Sequence, residues 1–266
     1  MHLASIQPPV EPGPEFAGGP TIRVIQFNAH SERSANDVAF QAYLEEQDAD
    51  LVCLIETPWS FARTNPWVLK TYPYRVEPDV GLDWPNLLLS KHPLELTPLE
   101  DDRPEHRFSF VARRSVTVTL PSGEKFLWTA MHPPSPRSES SWRKSLEIAA
   151  RDAEILRRFR DRTNAGVLVT GDFNSAPTAR VHSLFAARSE LAGWSSRWPG
   201  GTWPGIVPSW LSIPIDRIWT GGGLVVTSLE VGPKLASDHR PIVAELAVLP
   251  RSGGPKPAEN QNRATR

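Results

Sequence analysis

Gly171-Asp172-Phe173-Asn174 follows the apolar run Val167-Leu168-Val169-Thr170, so a carboxylate and a carboxamide stand two residues apart at the exit of a predicted buried strand. Residues i and i+2 of a strand face one side, and both side chains can converge on one ligand. A second polar pair, Asp238-His239, stands at the mouth of the apolar run Pro241–Leu246. Asn28, Glu56 and His132 each end another apolar run, and Asp216 lies at the opening of one. Oxygen and imidazole donors without a nearby cysteine suit a hard cation and phosphate chemistry rather than zinc or thiol chemistry. Singly these residues are weak signals: Glu56 precedes Thr57-Pro58 as turn residues often do, and His132 before Pro133-Pro134 can simply cap a loop. Gathered at strand ends, they occupy the place where a rigid scaffold usually presents catalytic groups.

The elements that must position them read as follows. Thr21–Phe27 alternates as a strand, residues about 35–47 are helical with Val38, Tyr43 and Leu44 turned inward, and Asp50–Ile55 is the next strand. Short strands follow at 74–76, 86–89 and 94–96, then a hairpin of Phe108–Leu120 and Lys125–Met131 around Pro121-Ser122-Gly123-Glu124. The clearest helix spans about 142–161, its stripe formed by Trp142, Leu146, Ala149, Ala153 and Leu156. A strand at 167–173, a short helix near 178–188 and strands near 215–219, 224–230 and 242–248 complete the pattern. Helices mixed with hairpin-like neighbouring strands predict an α/β sandwich with mixed sheets rather than a parallel doubly wound sheet.

The 266 residues suffice for one large domain. Residues 1–20 hold five prolines and three glycines, and 251–266 are polar with a basic excess; both read as disordered tails around a domain at 21–249. A net charge of −1 argues against retention on DNA by bulk electrostatics. The single cysteine, Cys53, lies in an apolar run and is expected in the core. No window approaches the roughly 20 apolar residues that cross a bilayer, and no signal peptide is visible. The expectation is a cytoplasmic monomer, or a membrane-associated extracytoplasmic protein if an anchor is missing from the start.

The chain resembles the endonuclease/exonuclease/phosphatase superfamily of DNase-I-like proteins. The resemblance rests on Phe27-Asn28, Ile55-Glu56-Thr57, Thr129–His132, Gly171–Asn174, Pro214–Ile218 and Ser237–Pro241, which occur in the family's order. It implies a four-layer α/β sandwich with two mixed sheets packed face to face and helices outside. It implies Mg²⁺ or Mn²⁺ held by Glu56 with Asn28 and Asp238, and a water activated by Asp172. Asn174 would contact a phosphate oxygen, His239 would stabilise phosphoryl charge with Asp216 orienting it, and His132 would contact phosphate or assist the leaving oxygen. Ile55 replaces a Gln common before the Glu, and Arg217 stands where many members carry His. Arg217 is either a phosphate contact or a rim salt bridge.

For the substrate, Pro133-Pro134-Ser135-Pro136-Arg137 leads to Arg143 and Lys144, which either meet a second phosphate or lie on a solvated helix face. The His132-Pro133-Pro134 run with a downstream Arg also looks like a bacterial subgroup similar to VanJ-type proteins, which implies polyprenyl-diphosphate lipids. Trp194, Trp198, Trp203, Trp210 and Trp219 can wall a pocket or pack the sandwich; Trp219 is assigned to packing, while Trp203 and Trp210 admit either role. The leading expectation is a metal-dependent phosphoesterase acting on a small or lipid-linked phosphoester. A nuclease with the same site is the alternative, and a non-catalytic binding module on the same scaffold is the remote one.

Overall fold

The structure is a computed structural model and describes residues 9–30, 38–58, 60–77, 86–100, 113–196 and 200–250. Trp198, residues 35–37 of the expected helix and 108–112 of the expected hairpin lie outside these. The elements run β1 (Thr21–Asn28), α1 (Val38–Gln47), β2 (Leu51–Ile55), α2 (Phe61–Thr64), α3 (Pro66–Thr71), β3 (Tyr74–Val76), β4 (Asn86–Ser90), β5 (Leu94–Leu96) and β6 (Arg114–Thr119). They continue with β7 (Lys125–Met131), α4 (Glu139–Thr163), β8 (Gly166–Asp172), α5 (Arg180–Ser189), β9 (Ala192–Trp194), β10 (Asp216–Gly221), β11 (Leu224–Val231) and β12 (Ile242–Val248).

The strands form two six-stranded sheets, ordered β11-β12-β1-β2-β4-β3 and β5-β6-β7-β8-β10-β9. Each carries a single parallel pair at its centre, β1 with β2 and β7 with β8, flanked by antiparallel pairs. Strand alternation sorts the apolar residues into layers. Val24, Cys53, Ile55, Val116, Trp128, Leu168, Ile218 and Leu246 meet between the sheets. On the outer face of the first sheet, Phe27, Val52 and Leu54 pack under Phe40, Leu44 and Phe61 of α1 and α2. On the outer face of the second, Leu127, Val169 and Trp219 pack under Ala149, Ala153 and Leu156 of α4 and Phe185 of α5. The result is the expected four-layer α/β sandwich. Cys53 lies in its middle layer, where burial pushes the thiol up to about 12, consistent with a core role.

α4 starts where Ser138 and Ser141 cap each other reciprocally, and it ends at Asn164 in the left-handed conformation. Two residues expected to face inward do not. Trp142 is 42% exposed and Val38 is 79% exposed, each lying in the first described turn of its helix. Before β1, Val10 N donates to Val226 O, so the described part of the proline-rich lead-in touches the first sheet. Among the described residues, no helix is long and apolar enough to cross a membrane.

Candidate active site

The two parallel pairs and their antiparallel neighbours end at one rim of the sandwich, and alternation decides which side chains reach it. Asn28 shares the inward face of β1 with Val24, Asp172 that of β8 with Leu168, and Asp216 that of β10 with Ile218. Asp216 stands opposite Asp172 in the β8–β10 ladder. All three are at most 1% exposed.

One local device recurs at these strand ends. Asn28 Oδ1 accepts from the backbone N–H of His30 at 3.0 Å, and Asp172 Oδ1 accepts from Asn174 N–H at 2.7 Å. Ser237 Oγ accepts from His239 N–H at 3.0 Å. Such side-chain turns reverse the chain immediately after a strand. They also hold His30 and Asn174 at φ near 50°, a left-handed conformation that costs a non-glycine residue about 1–2 kcal/mol. Glu56, directly after β2, has φ 55° as well. Ser237 Oγ in turn donates to Asn28 O at 2.7 Å, which ties the loop before β12 to the end of β1.

The side chains then close into one network. Asn28 Nδ2 donates to Glu56 Oε1 at 3.1 Å and to Asp172 Oδ2 at 3.0 Å. His132 Nε2 lies 3.4 Å from Glu56 Oε1 and 3.9 Å from Asp172 Oδ2. His239 Nδ1 donates to Asp216 Oδ2 at 2.9 Å, and its Nε2 lies 3.6 Å from Asp172 Oδ2. Asn174 Nδ2 donates to Pro133 O at 3.0 Å, leaving the second amide hydrogen for another acceptor. Trp203 Nε1 donates to Asp238 Oδ2 at 3.1 Å. Thr202 Oγ1 accepts from the backbone N–H groups of Ile215 and Asp216, so the loop carrying Trp203 also supports the start of β10.

Burial raises the Asp172 carboxyl above its ordinary value, and the neighbouring Asp216 adds to that, while His239, His132 and the Asn174 N–H pull it back. For His239, burial alone would lower the pKa. The carboxylates of Asp216, Asp172 and Asp238 outweigh it and raise the ring to about 10, so it carries a charge at neutral pH.

A cavity of about 540 Å³ opens over this network. His30, Glu56, His132, Asp172, Asn174, Asp238 and His239 form its polar floor, and Pro133, Pro134, Pro136, Ala176, Trp203, Ile213 and Ile215 form apolar walls. Arg137 stands on its edge. Four carboxylates, Glu56, Asp172, Asp216 and Asp238, meet here beside three histidines, and buried oxygens of Asp216 (Oδ1) and Asp238 (Oδ1) accept no hydrogen bond among the described residues. Ligand atoms of Asp172, Asp216 and His239 lie within 4.8 Å of one another. A surplus of hard oxygen donors with unfilled lone pairs fits a divalent cation of the Mg²⁺ class.

Of the residues expected from sequence, Asn28, Glu56, His132, Asp172, Asn174, Asp216, Asp238, His239 and Trp203 come together; Asp216 sits behind His239 rather than on the cavity surface. Two substrate contacts need correction. Arg217 is 2% exposed and lies on the opposite face of β10, beside Trp219 and His182, because a residue adjacent to Asp216 in a strand must point the other way. Arg143 lies in the first turn of α4, paired with Glu139 at 2.6 Å and directed to solvent. Trp210 does not line the cavity either and is 57% exposed. His30 was missed: its Nδ1 lies 3.2 Å from Glu56 Oε2 and 3.7 Å from Asp238 Oδ1. Its one visible signal was its place two residues beyond Asn28.

Comparison with known proteins agrees with this fold. No protein of curated function matches the chain by sequence. Among solved structures, the catalytic domain of human Nocturnin with bound sulfate aligns over 89% of this chain and 100% of its own, at 18% identity and TM-score 0.64. A mannosyl-6-phosphatase of Bacteroides thetaiotaomicron aligns over 85% and 99%, at 16% identity and TM-score 0.63. Truncated TDP2 of Caenorhabditis elegans aligns over 86% and 98%, at 13% identity and TM-score 0.64. At these identities the likeness establishes the shared DNase-I-like fold. The profile of the Endonuclease/Exonuclease/phosphatase family matches residues 25–239, a span that begins in β1 and ends at His239. Since that span takes in every strand-end residue of the network, this chain belongs to the endonuclease/exonuclease/phosphatase family, whose members are divalent-metal-dependent enzymes that hydrolyse phosphoester bonds.

Proposed function

We propose that this enzyme hydrolyses a small or lipid-linked phosphoester by direct attack of water, with no covalent enzyme intermediate. The carrying observation is the cavity itself: an acidic and histidine-lined floor beneath walls of proline, Ile213, Ile215 and Trp203. Such walls match a compact or apolar alcohol better than a duplex backbone, which calls for a track of cations. Arg137 is the arginine among the lining residues and suits a second phosphate on the substrate.

In this reading Asp172 orients the attacking water and takes its proton; burial and Asp216 raise its carboxyl above the ordinary value, which favours proton acceptance. His239, charged and fixed through Nδ1 by Asp216, offers Nε2–H to the phosphoryl oxygens. The free amide hydrogen of Asn174 contacts another non-bridging oxygen. His132, between Glu56 and Asp172, faces phosphate or the departing oxygen. Glu56, Asn28 and Asp238 would hold Mg²⁺ or Mn²⁺. Asn28 Oδ1 keeps a lone pair beyond its bond to His30 N–H, and His239 Nδ1 is already engaged by Asp216. The bound cation would supply neutralisation of phosphoryl charge.

The test is turnover of bis-p-nitrophenyl phosphate and p-nitrophenyl phosphate with Mg²⁺, Mn²⁺ or EDTA, followed by a polyprenyl diphosphate and a plasmid. Metal-dependent release of nitrophenol, with the lipid cleaved and the plasmid intact, is expected. Preferential cleavage of the plasmid would replace this reading with a nuclease, and inertness toward all four would return the chain to a binding role.

A further inference from the structure

No charged residue lies between Arg197 and Asp216 in the sequence, and Trp203, Ile213 and Ile215 of this stretch line the cavity. Its loop, residues 202–213, exposes apolar side chains: Ile206 is 70% exposed, Trp210 57%, Leu211 50% and Trp203 38%. The loop is tied down on itself. Trp203 and Ile213 pair through both backbone bonds, Gly201 N–H meets Ser209 O, and Ser212 Oγ donates to Pro204 O and Pro208 O. Arg240 donates to Gly205 O and Val207 O, which fastens the loop to the segment that carries His239. The exposed side chains are therefore held outward by backbone geometry.

We propose that this loop docks the enzyme on the interfacial zone of a lipid bilayer, with Ile206, Trp210 and Leu211 entering the headgroup region. Three observations favour a bilayer over a protein partner. The apolar set is four side chains on one loop, against the roughly 20–30 residues a side of a stable protein interface, whereas a few such side chains suffice to enter a headgroup region. Tryptophan favours the boundary between water and lipid, where its ring is buried and its N–H stays wet. The set is also continuous with the cavity: Trp203 belongs to the loop and to the cavity wall, and its N–H holds Asp238. Docking through this loop brings the cavity mouth to the membrane surface. The inference deepens the lipid-linked reading above, and its test is separable from it.

The experiment is co-sedimentation of the full chain with phosphatidylcholine vesicles, with and without phosphatidylglycerol, and with no substrate present. Wild type should sediment with both kinds, unaffected by added salt because the loop is uncharged. The I206S/W210S/L211S variant should partition at least about tenfold less, while hydrolysing bis-p-nitrophenyl phosphate as wild type does. W210S alone, followed by a blue shift of tryptophan fluorescence that the variant loses, serves if the triple variant folds poorly. Failure of wild type to sediment, equal sedimentation of wild type and variant, or binding abolished by salt would overturn the proposal. Self-association lost in the variant, without vesicle binding, would assign the loop to a protein contact instead. Vesicle binding with no cleavage of lipid phosphoesters would sink the substrate reading and leave the docking intact.

Discussion

Two buried histidines stand on opposite faces of the second sheet, and their surroundings drive them to opposite charge states. His239, 4% exposed, faces Asp216 and Asp172 and is held protonated to about 10. His182, fully buried behind the sheet, donates from Nε2 to Ser175 O at 3.0 Å. Burial, with the Arg217 guanidinium beside it, lowers its pKa to about 3. Desolvation is alike for both; the charge of the neighbours decides the outcome. The inward face gathers carboxylates for chemistry. The outward face buries Arg217 with no counter-ion among the described residues, its Nε and Nη2 unpartnered there and its own pKa pulled down to about 9 by burial.

The largest effects should come from the inward face. Asp172→Asn and His239→Ala should each lower kcat on bis-p-nitrophenyl phosphate by roughly 10²–10⁴-fold. Retained turnover in both would dissolve the contrast between the faces. Asp216→Asn should cost about 10²-fold through misorientation of His239, with KM nearly unchanged; a loss confined to KM would show that Asp216 acts on binding instead.

The outward face should answer in stability alone. Arg217→Met removes a buried charge that has no counter-ion among the described residues and should be neutral or stabilising by about 1 kcal/mol, a rise in Tm of about 2–4 °C, with turnover unchanged. A clear fall in Tm would mean that the guanidinium is satisfied after all. A last effect concerns acid. Unfolded histidine takes a proton near pH 6.5 that folded His182 refuses until about 3. Its contribution is therefore intact above pH 6.5 and declines as the pH falls toward 3, by about 1.4 kcal/mol per pH unit. Urea melts of wild type and His182→Phe between pH 7 and 5 should diverge with that slope, and parallel curves would refute it.

Much of this was legible in the sequence because the active groups sit at the ends of apolar strands, where composition changes abruptly. The run before Gly171-Asp172 and the pair Asp238-His239 reveal both element and site. What escaped depended on orientation or distance. Arg217 was misplaced because its neighbour Asp216 drew attention to the motif, whereas alternation assigns the two to opposite faces. α2 and α3, of four and six residues between prolines, carry too little periodicity to register. Trp203 and Asp238 are 35 residues apart, and no local pattern encodes their bond.

The first strand of the first sheet, β1, lies between β2 and β12, the last strand among the described residues. A ribosome therefore releases Asn28 and Glu56 long before the strand that completes their sheet. The loop that brings Ser237, Asp238 and His239 precedes β12 directly, so closing the sheet and arming the site are one event.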